Sequence, residues 1–174
     1  MKKVLLVLAG IALIVALVST YAPRQRSVST NAEKTVPVKS TPAPVFPYAD
    51  RQIITFKVGA QILRVEVVTT PESITLGLSG REKIGSDGML FVFSESYVPR
   101  FWMKEMRFAL DFIWIDHGTV VDITENVPPP KPGQTLSDLP LYSPEVLVNQ
   151  VLEVPAGSVA QWKVKKGDIV TLQP

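Results

Sequence analysis

Between residues 88 and 122 the chain reads GMLFVFSESYVPRFWMKEMRFALDFIWIDHGTVVD, and this stretch limits the fold more than any other. Short runs of β-branched and aromatic residues are broken by Ser, Pro and Gly, which is the pattern of consecutive strands. His117-Gly118 is the tight turn of a hairpin joining 109–116 to 119–125. The same grammar recurs upstream, where residues 52–58 and 61–68 flank Gly59-Ala60. In the second of these strands Leu63, Val65 and Val67 line one face, while Arg64 and Glu66 point the other way. Further strands are expected over 89–93, 100–106, 145–154 and 169–172. Thr70 caps a short helix that opens on Pro71 and ends at Gly80, and 156–162 is a second short helix. Many short strands at even spacing predict a mainly-β sandwich or barrel.

What surrounds this body is of a different kind. Residues 4–18 contain no charged or polar side chain, and extending the run to Ala22 gives about the 20 residues that cross a bilayer as a helix. Lys2 and Lys3 precede it, as in a signal sequence. Pro23 directly follows Ala22, the best small residue at the exit, so an uncleaved membrane anchor is favoured over a cleaved signal. The body is then expected outside the cytoplasm, periplasmic or extracellular, and secreted if cleavage occurs. Residues 23–49 are rich in Pro, Ser and Thr and bury too little to offset ordering entropy, so they read as a disordered tether spanning at most roughly 80 Å. The expected organisation is therefore 1–22 anchor, 23–49 linker and 50–174 β domain. Within the last, residues 127–144 carry six prolines and cannot be regular structure. A long loop inside a compact domain is often functional.

Charge is distributed unevenly. The chain carries a net charge of +2, but residues 1–48 hold six Lys and Arg against Glu33. The remainder is therefore mildly acidic, which disfavours a nucleic-acid partner. The basic N-terminal part can sit against anionic lipid. Cysteine is absent and there is one histidine, so disulfides, thiol nucleophiles and Cys- or His-based metal clusters are excluded. No cofactor is expected.

Several ordered motifs run through the body. Thr70-Pro71 is followed by Gly77-Leu78 and Gly80-Arg81, then by residues 88–93, Phe101-Trp102-Met103-Lys104, and Leu110-Asp111 with 112–116. Leu152-Glu153, Ala156-Gly157 and Gly167-Asp168 come later. Over about residues 52–173 this set resembles the domain-of-unknown-function family 192, an uncharacterised ancient conserved region. The resemblance implies a mainly-β, jelly-roll-like domain, often behind a signal or anchor, and no established activity. The chain departs from the family pattern at Glu105-Met106, where Asn-Thr is usual. It departs again at Ile74-Thr75, where an arginine is usual, and at Ser79, where methionine is usual. If those polar positions belong to a family site, the site is altered here.

The candidate site residues cluster around the third motif. If residues 100–106 are a strand, Phe101, Met103 and Glu105 share one face, and Trp102, Lys104 and Met106 share the other. Trp102, Met103 and Lys104 could form a pocket wall for an anionic or sugar-like ligand. Equally, Trp102 could be half-buried on an edge strand with Lys104 snorkelling. Asp111 stands between Leu110 and Phe112, and a buried carboxylate needs partners or a shifted pKa. It could pair with Lys104 or Arg81, even as a general base, or bond loop amides. Arg81 could reach a carboxylate or a helix terminus. Asp111 and Glu105 are the weak candidates for a hydrolase-type carboxylate pair. His117 sits in a solvent-exposed turn, Ser79 lacks a nucleophile-elbow context, and Gly85 to Gly88 is a turn rather than a phosphate loop.

The sequence thus points to a tethered exocytoplasmic β domain that binds a small or extended ligand through Arg81, Trp102, Met103, Lys104 and Asp111. Its alternative is a protein-interaction or assembly module of the envelope, and a carboxylate-based hydrolase ranks third. The expected partners are the membrane, through residues 4–22, and either a small molecule or an envelope protein.

Overall fold

A computed structural model describes residues 47–173. The expected anchor and linker, up to residue 46, lie outside the described residues. Among the described residues no helix is long and apolar enough to cross a membrane.

Seven strands form one sheet: β1 (Ile53–Val58), β2 (Gln61–Val68), β3 (Gly88–Tyr97), β4 (Leu110–Asp116), β5 (Thr119–Val127), β6 (Val148–Pro155) and β7 (Val170–Leu172). Their spatial order is β5-β4-β6-β3-β2-β1-β7. The two helices are α1 (Pro71–Leu76) and α2 (Ser158–Trp162). The mainly-β class with two short helices is as predicted, but the strands form one curled sheet, a half-barrel, rather than two facing sheets. Its outer strands approach each other at one end only. Thr119 bridges Ile169, and the Val170 amide donates to the Gly118 carbonyl at 2.8 Å.

Local chemistry explains most of the elements. Both expected hairpins are present, with Val58 opposite Gln61 and Asp116 opposite Thr119. His117 and Gly118 both have positive φ (46° and 77°), the geometry that matches the twist of adjoining strands. At α1 the Thr70 side chain accepts from the Ser73 amide at 3.2 Å and Pro71 fills the first turn. The helix ends at Leu76 instead of near Ser79. Gly77 takes φ 50° there, and a Cβ at this position would lie 3.2 Å from the Phe91 ring.

One pairing departs from the antiparallel pattern. β2 and β3 are parallel, joined by a crossover through α1, whereas every other strand pair is antiparallel. At the start of β3, a Cβ on Gly88 would come within 2.8 Å of the Glu153 carbonyl. Glycine is what allows β3 and β6 to close there.

The sheet buries both faces. The inside of the curl takes side chains from all seven strands, among them Phe56, Leu63, Leu90, Ile113, Val120, Leu152 and Val170, and is plugged by Val159 of α2. The opposite face is built from β3, β4 and β6 and carries Phe91, Phe112, Trp114 and Val151. It is covered by the segment 99–108 and the proline-rich loop, which join where Phe101 and Tyr142 exchange backbone hydrogen bonds of 2.9 and 2.8 Å. Phe101 fixes this cover through edge contacts with Phe91 at 5.0 Å and Trp114 at 5.6 Å between ring centres.

Residues 100–106 are not the predicted strand. Phe101 makes a single bridge, and Lys104-Glu105 turns with Glu105 at φ 57°. The expected alternation of faces therefore fails: Met103 and Met106 are both buried, while Trp102 is 44% exposed. Two methionines and Phe101 reach the aromatic face more closely from a turn than period-two alternation allows. The remaining boundaries differ modestly. β3 runs on to Tyr97, β6 starts at Val148, and residues 136–138 make a single 3-10 turn within the long loop.

Candidate functional site

β6 runs between β3 and β4, inside the sheet. Along it Leu152 and Val154 face the inside of the curl, so Glu153 faces the covered side. There it stands in register with Met89 of β3 and Phe112 of β4. A carboxyl 5% exposed among such neighbours calls for a partner. Among the described residues it has none, neither a hydrogen bond nor an ion pair. Glu153 is part of the lining of an adjoining hollow. Burial alone pushes its pKa up to about 8.

The hollow has a volume of about 260 Å³ and lies between the end of α1 and residues 97–102. Leu78, Tyr97, Phe101 and Trp102 supply apolar and aromatic wall, and Arg100 supplies the one other charge in the lining. Arg100 is exposed and, among the described residues, is also without an ion-pair partner. The lining of the recess therefore combines a buried acid, an exposed arginine and aromatic surface.

The sequence-predicted residues are dispersed. Trp102 alone lines this hollow. Met103 is core, 2% exposed. Lys104 and Glu105 form a 3.6 Å pair on the turn, which is held down by Ser79 Oγ donating to the Lys104 carbonyl and the Gly80 amide donating to that of Glu105. With Arg107 they line a second, more open hollow of about 560 Å³ against Pro130, Gln134 and Leu136 of the long loop. Asp111 does not meet Lys104 or Arg81. It is fully buried and accepts from the amides of Asn126 (2.7 Å) and Val159 (3.0 Å). Val159 is in the first turn of α2, so Asp111 caps that helix from a neighbouring strand. Asp111 and Glu105 thus stand in unlike surroundings, one sealed and one on an exposed turn.

Arg81 grips Glu66 with two nitrogens, at 2.7 and 2.8 Å, and Arg51 joins from the other side at 2.8 Å. The Arg81 hydrogen bonds hold the Glu66 carboxyl below its ordinary range, outweighing the opposing effect of burial. Arg81→Ala is expected to lower stability at pH 7 by about 1–2 kcal/mol, the net worth of a charge-assisted, partly exposed pair. A depressed acid stabilises the fold above its unfolded pKa, 4.5, and loses that contribution as pH falls. The difference between wild type and variant should accordingly shrink at pH 3, which urea unfolding at the two pH values measures.

Glu153 is not among the sequence-predicted site residues, although the sequence carries a signal for it. Leu152-Glu153-Val154 sets a lone carboxylate in an apolar strand, as Leu110-Asp111-Phe112 does.

Fold and recess together define a single-sheet β domain with a small-molecule-sized hollow over a buried acid. The chain belongs to the domain-of-unknown-function family 192, an uncharacterised ancient conserved region, whose model matches residues 53–172. It is similar to a candidate transcription regulator from Sinorhizobium meliloti of known crystal structure. The two are 27% identical with a TM-score of 0.63, over 72% of this chain and 97% of that one. It is also similar to a protein of unknown function from Novosphingobium aromaticivorans, at 26% identity and TM-score 0.61, over 76% of this chain and 94% of that one. No match is found among curated proteins.

Proposed function

We infer that the domain binds a small molecule in the hollow above Glu153. The observation that carries this reading is the acid itself. An unpartnered carboxyl at 5% exposure is costly to keep in a strand flanked on both sides, and a ligand that completes its hydrogen bonding gives it a use. Trp102 remains from the residues singled out in the sequence, whereas Lys104 belongs to a separate, more open recess. The test is a thermal-shift screen of the full chain against amino acids, sugars, nucleotides and peptides. A ligand at a hundredfold its Kd adds about 2.7 kcal/mol to stability. A hit lost on Trp102→Ala and Glu153→Gln supports the site. A hit indifferent to both places binding elsewhere.

A second reading, an assembly module, draws on a different surface. Val146 and Leu147 are 46% and 57% exposed and, with Val120 and Val121, line an open apolar recess. Cross-linking in intact envelopes should capture a partner that Leu147→Asp releases if this surface is used.

We place the domain outside the cytoplasm on the tether expected from residues 4–22. Full-length protein should stay in the membrane fraction after a carbonate wash. A shortened, released form would instead mean that the segment is cleaved.

A further inference from the structure

The chemistry of the hollow narrows its occupant, granted that it is a binding site. Its lining holds two residues of opposite charge, the buried Glu153 and the exposed Arg100, and among the described residues neither has an ion-pair partner. Between them lie Tyr97, Phe101 and Trp102, with Leu78 and Met106 completing an apolar wall. A ligand bearing only an anion would leave the inner carboxyl facing apolar atoms or force it to hold its proton. One bearing only a cation would satisfy Glu153 and the faces of the aromatic rings, but would bring a like charge toward Arg100. A neutral ligand would use neither charge fully. We propose that the hollow takes a free amino acid with an apolar side chain, its ammonium on the Glu153 carboxylate, its carboxylate toward the Arg100 guanidinium and its side chain against Trp102, Phe101 and Leu78.

Each part of this assignment rests on a general preference. An ammonium has three donors to give a carboxylate that has no other. A guanidinium presents a planar fork that matches a carboxylate. A cavity of about 260 Å³ has room for a molecule of this size and little for a nucleotide or an extended sugar. Proton accounting is simple as well. Any proton resident on Glu153 leaves to solvent when the ammonium arrives, and no bond to carbon is made or broken.

Three compounds that share the isobutyl side chain separate the contributions: L-leucine, isoamylamine without the carboxylate, and 4-methylpentanoate without the ammonium. They are titrated to 20 mM against the full chain in a non-ionic detergent, following the Trp102 indole signal and the amides of Leu78, Arg100 and Glu153 by NMR. L-leucine is expected to saturate these signals, isoamylamine to bind at least tenfold more weakly, and 4-methylpentanoate to leave them unmoved. Glu153→Gln should cost leucine tenfold or more. Arg100→Ala should bring leucine down to the amine and leave the amine unchanged or tighter, which a general loss of structure would not do.

Binding of 4-methylpentanoate as tight as that of leucine, or leucine binding indifferent to Arg100→Ala, overturns the amino-acid assignment. So does failure of leucine to saturate. If in that case another compound from the broad screen moves the same signals, the hollow remains a site for a different class. If nothing moves them, the binding reading falls with it.

Discussion

Asp111→Ala should destabilise the domain by about 2–4 kcal/mol, more than the loss of a surface charge could produce. The side chain is fully buried and holds the amides of Asn126 at 2.7 Å and Val159 at 3.0 Å. Truncation would leave the buried Val159 amide without an acceptor, at a cost of about 1–3 kcal/mol, would release the amide of the exposed Asn126, and would uncap a helix of only five residues. Val159 also plugs the inside of the curl, so loosening α2 loosens the core. Asp111→Asn keeps one acceptor and should lose less. Equilibrium urea unfolding of both variants at pH 7 measures this. Near-native stability of the alanine variant would mean that the amides find acceptors elsewhere. An acid so committed to backbone amides has a structural task, the capping of α2.

Glu153→Gln should do the reverse and stabilise the fold, by an amount that grows with pH. The folded acid is raised from 4.5 to about 8 by burial, so between those values the native state holds a proton that the unfolded chain has released. Folding is then progressively penalised as pH rises through the window. Above it the penalty reaches on the order of 5 kcal/mol. The other charged or titratable groups lining the hollow are Tyr97 and Arg100, and burial pushes the Tyr97 hydroxyl up, away from that window. Glutamine has the same shape and no charge to desolvate. The variant should match wild type near pH 4.5 and exceed it by several kcal/mol at pH 8 to 9, as read by chemical unfolding of both proteins at each pH. Parallel pH profiles would show that Glu153 does not titrate abnormally. A protein that keeps an acid at such cost in stability fits the pattern of sites that trade stability for function.

How much of this was legible in the sequence follows from the range of each interaction. The hairpins at Gly59-Ala60 and His117-Gly118, and the helix opening at Thr70-Pro71, are set by chemistry within a few residues and are legible in the sequence. The parallel pairing of β2 with β3 depends on a crossover of 19 residues, from 69 to 87, and nothing local specifies it. Residues 100–106 alternate in the sequence as a strand would. What they do instead is decided by Phe91, Phe112 and Trp114, which lie in other strands and draw Phe101, Met103 and Met106 to one side. Asp111 and Glu153 carry the same local signal, a carboxylate between apolar neighbours. Only the fold distinguishes them, because the amides that satisfy Asp111 are 15 and 48 residues away, whereas no described residue comes to Glu153.

The direct test of the central claim is the titration of Glu153 itself, followed through its side-chain carboxyl carbon by NMR on selectively labelled protein without ligand. A midpoint near 8, falling when a compound that fills the hollow is added, is the predicted result. A midpoint in the ordinary carboxyl range, unmoved by any such compound, would mean that the acid is solvated or already partnered, and the case for a binding site above it would be contradicted.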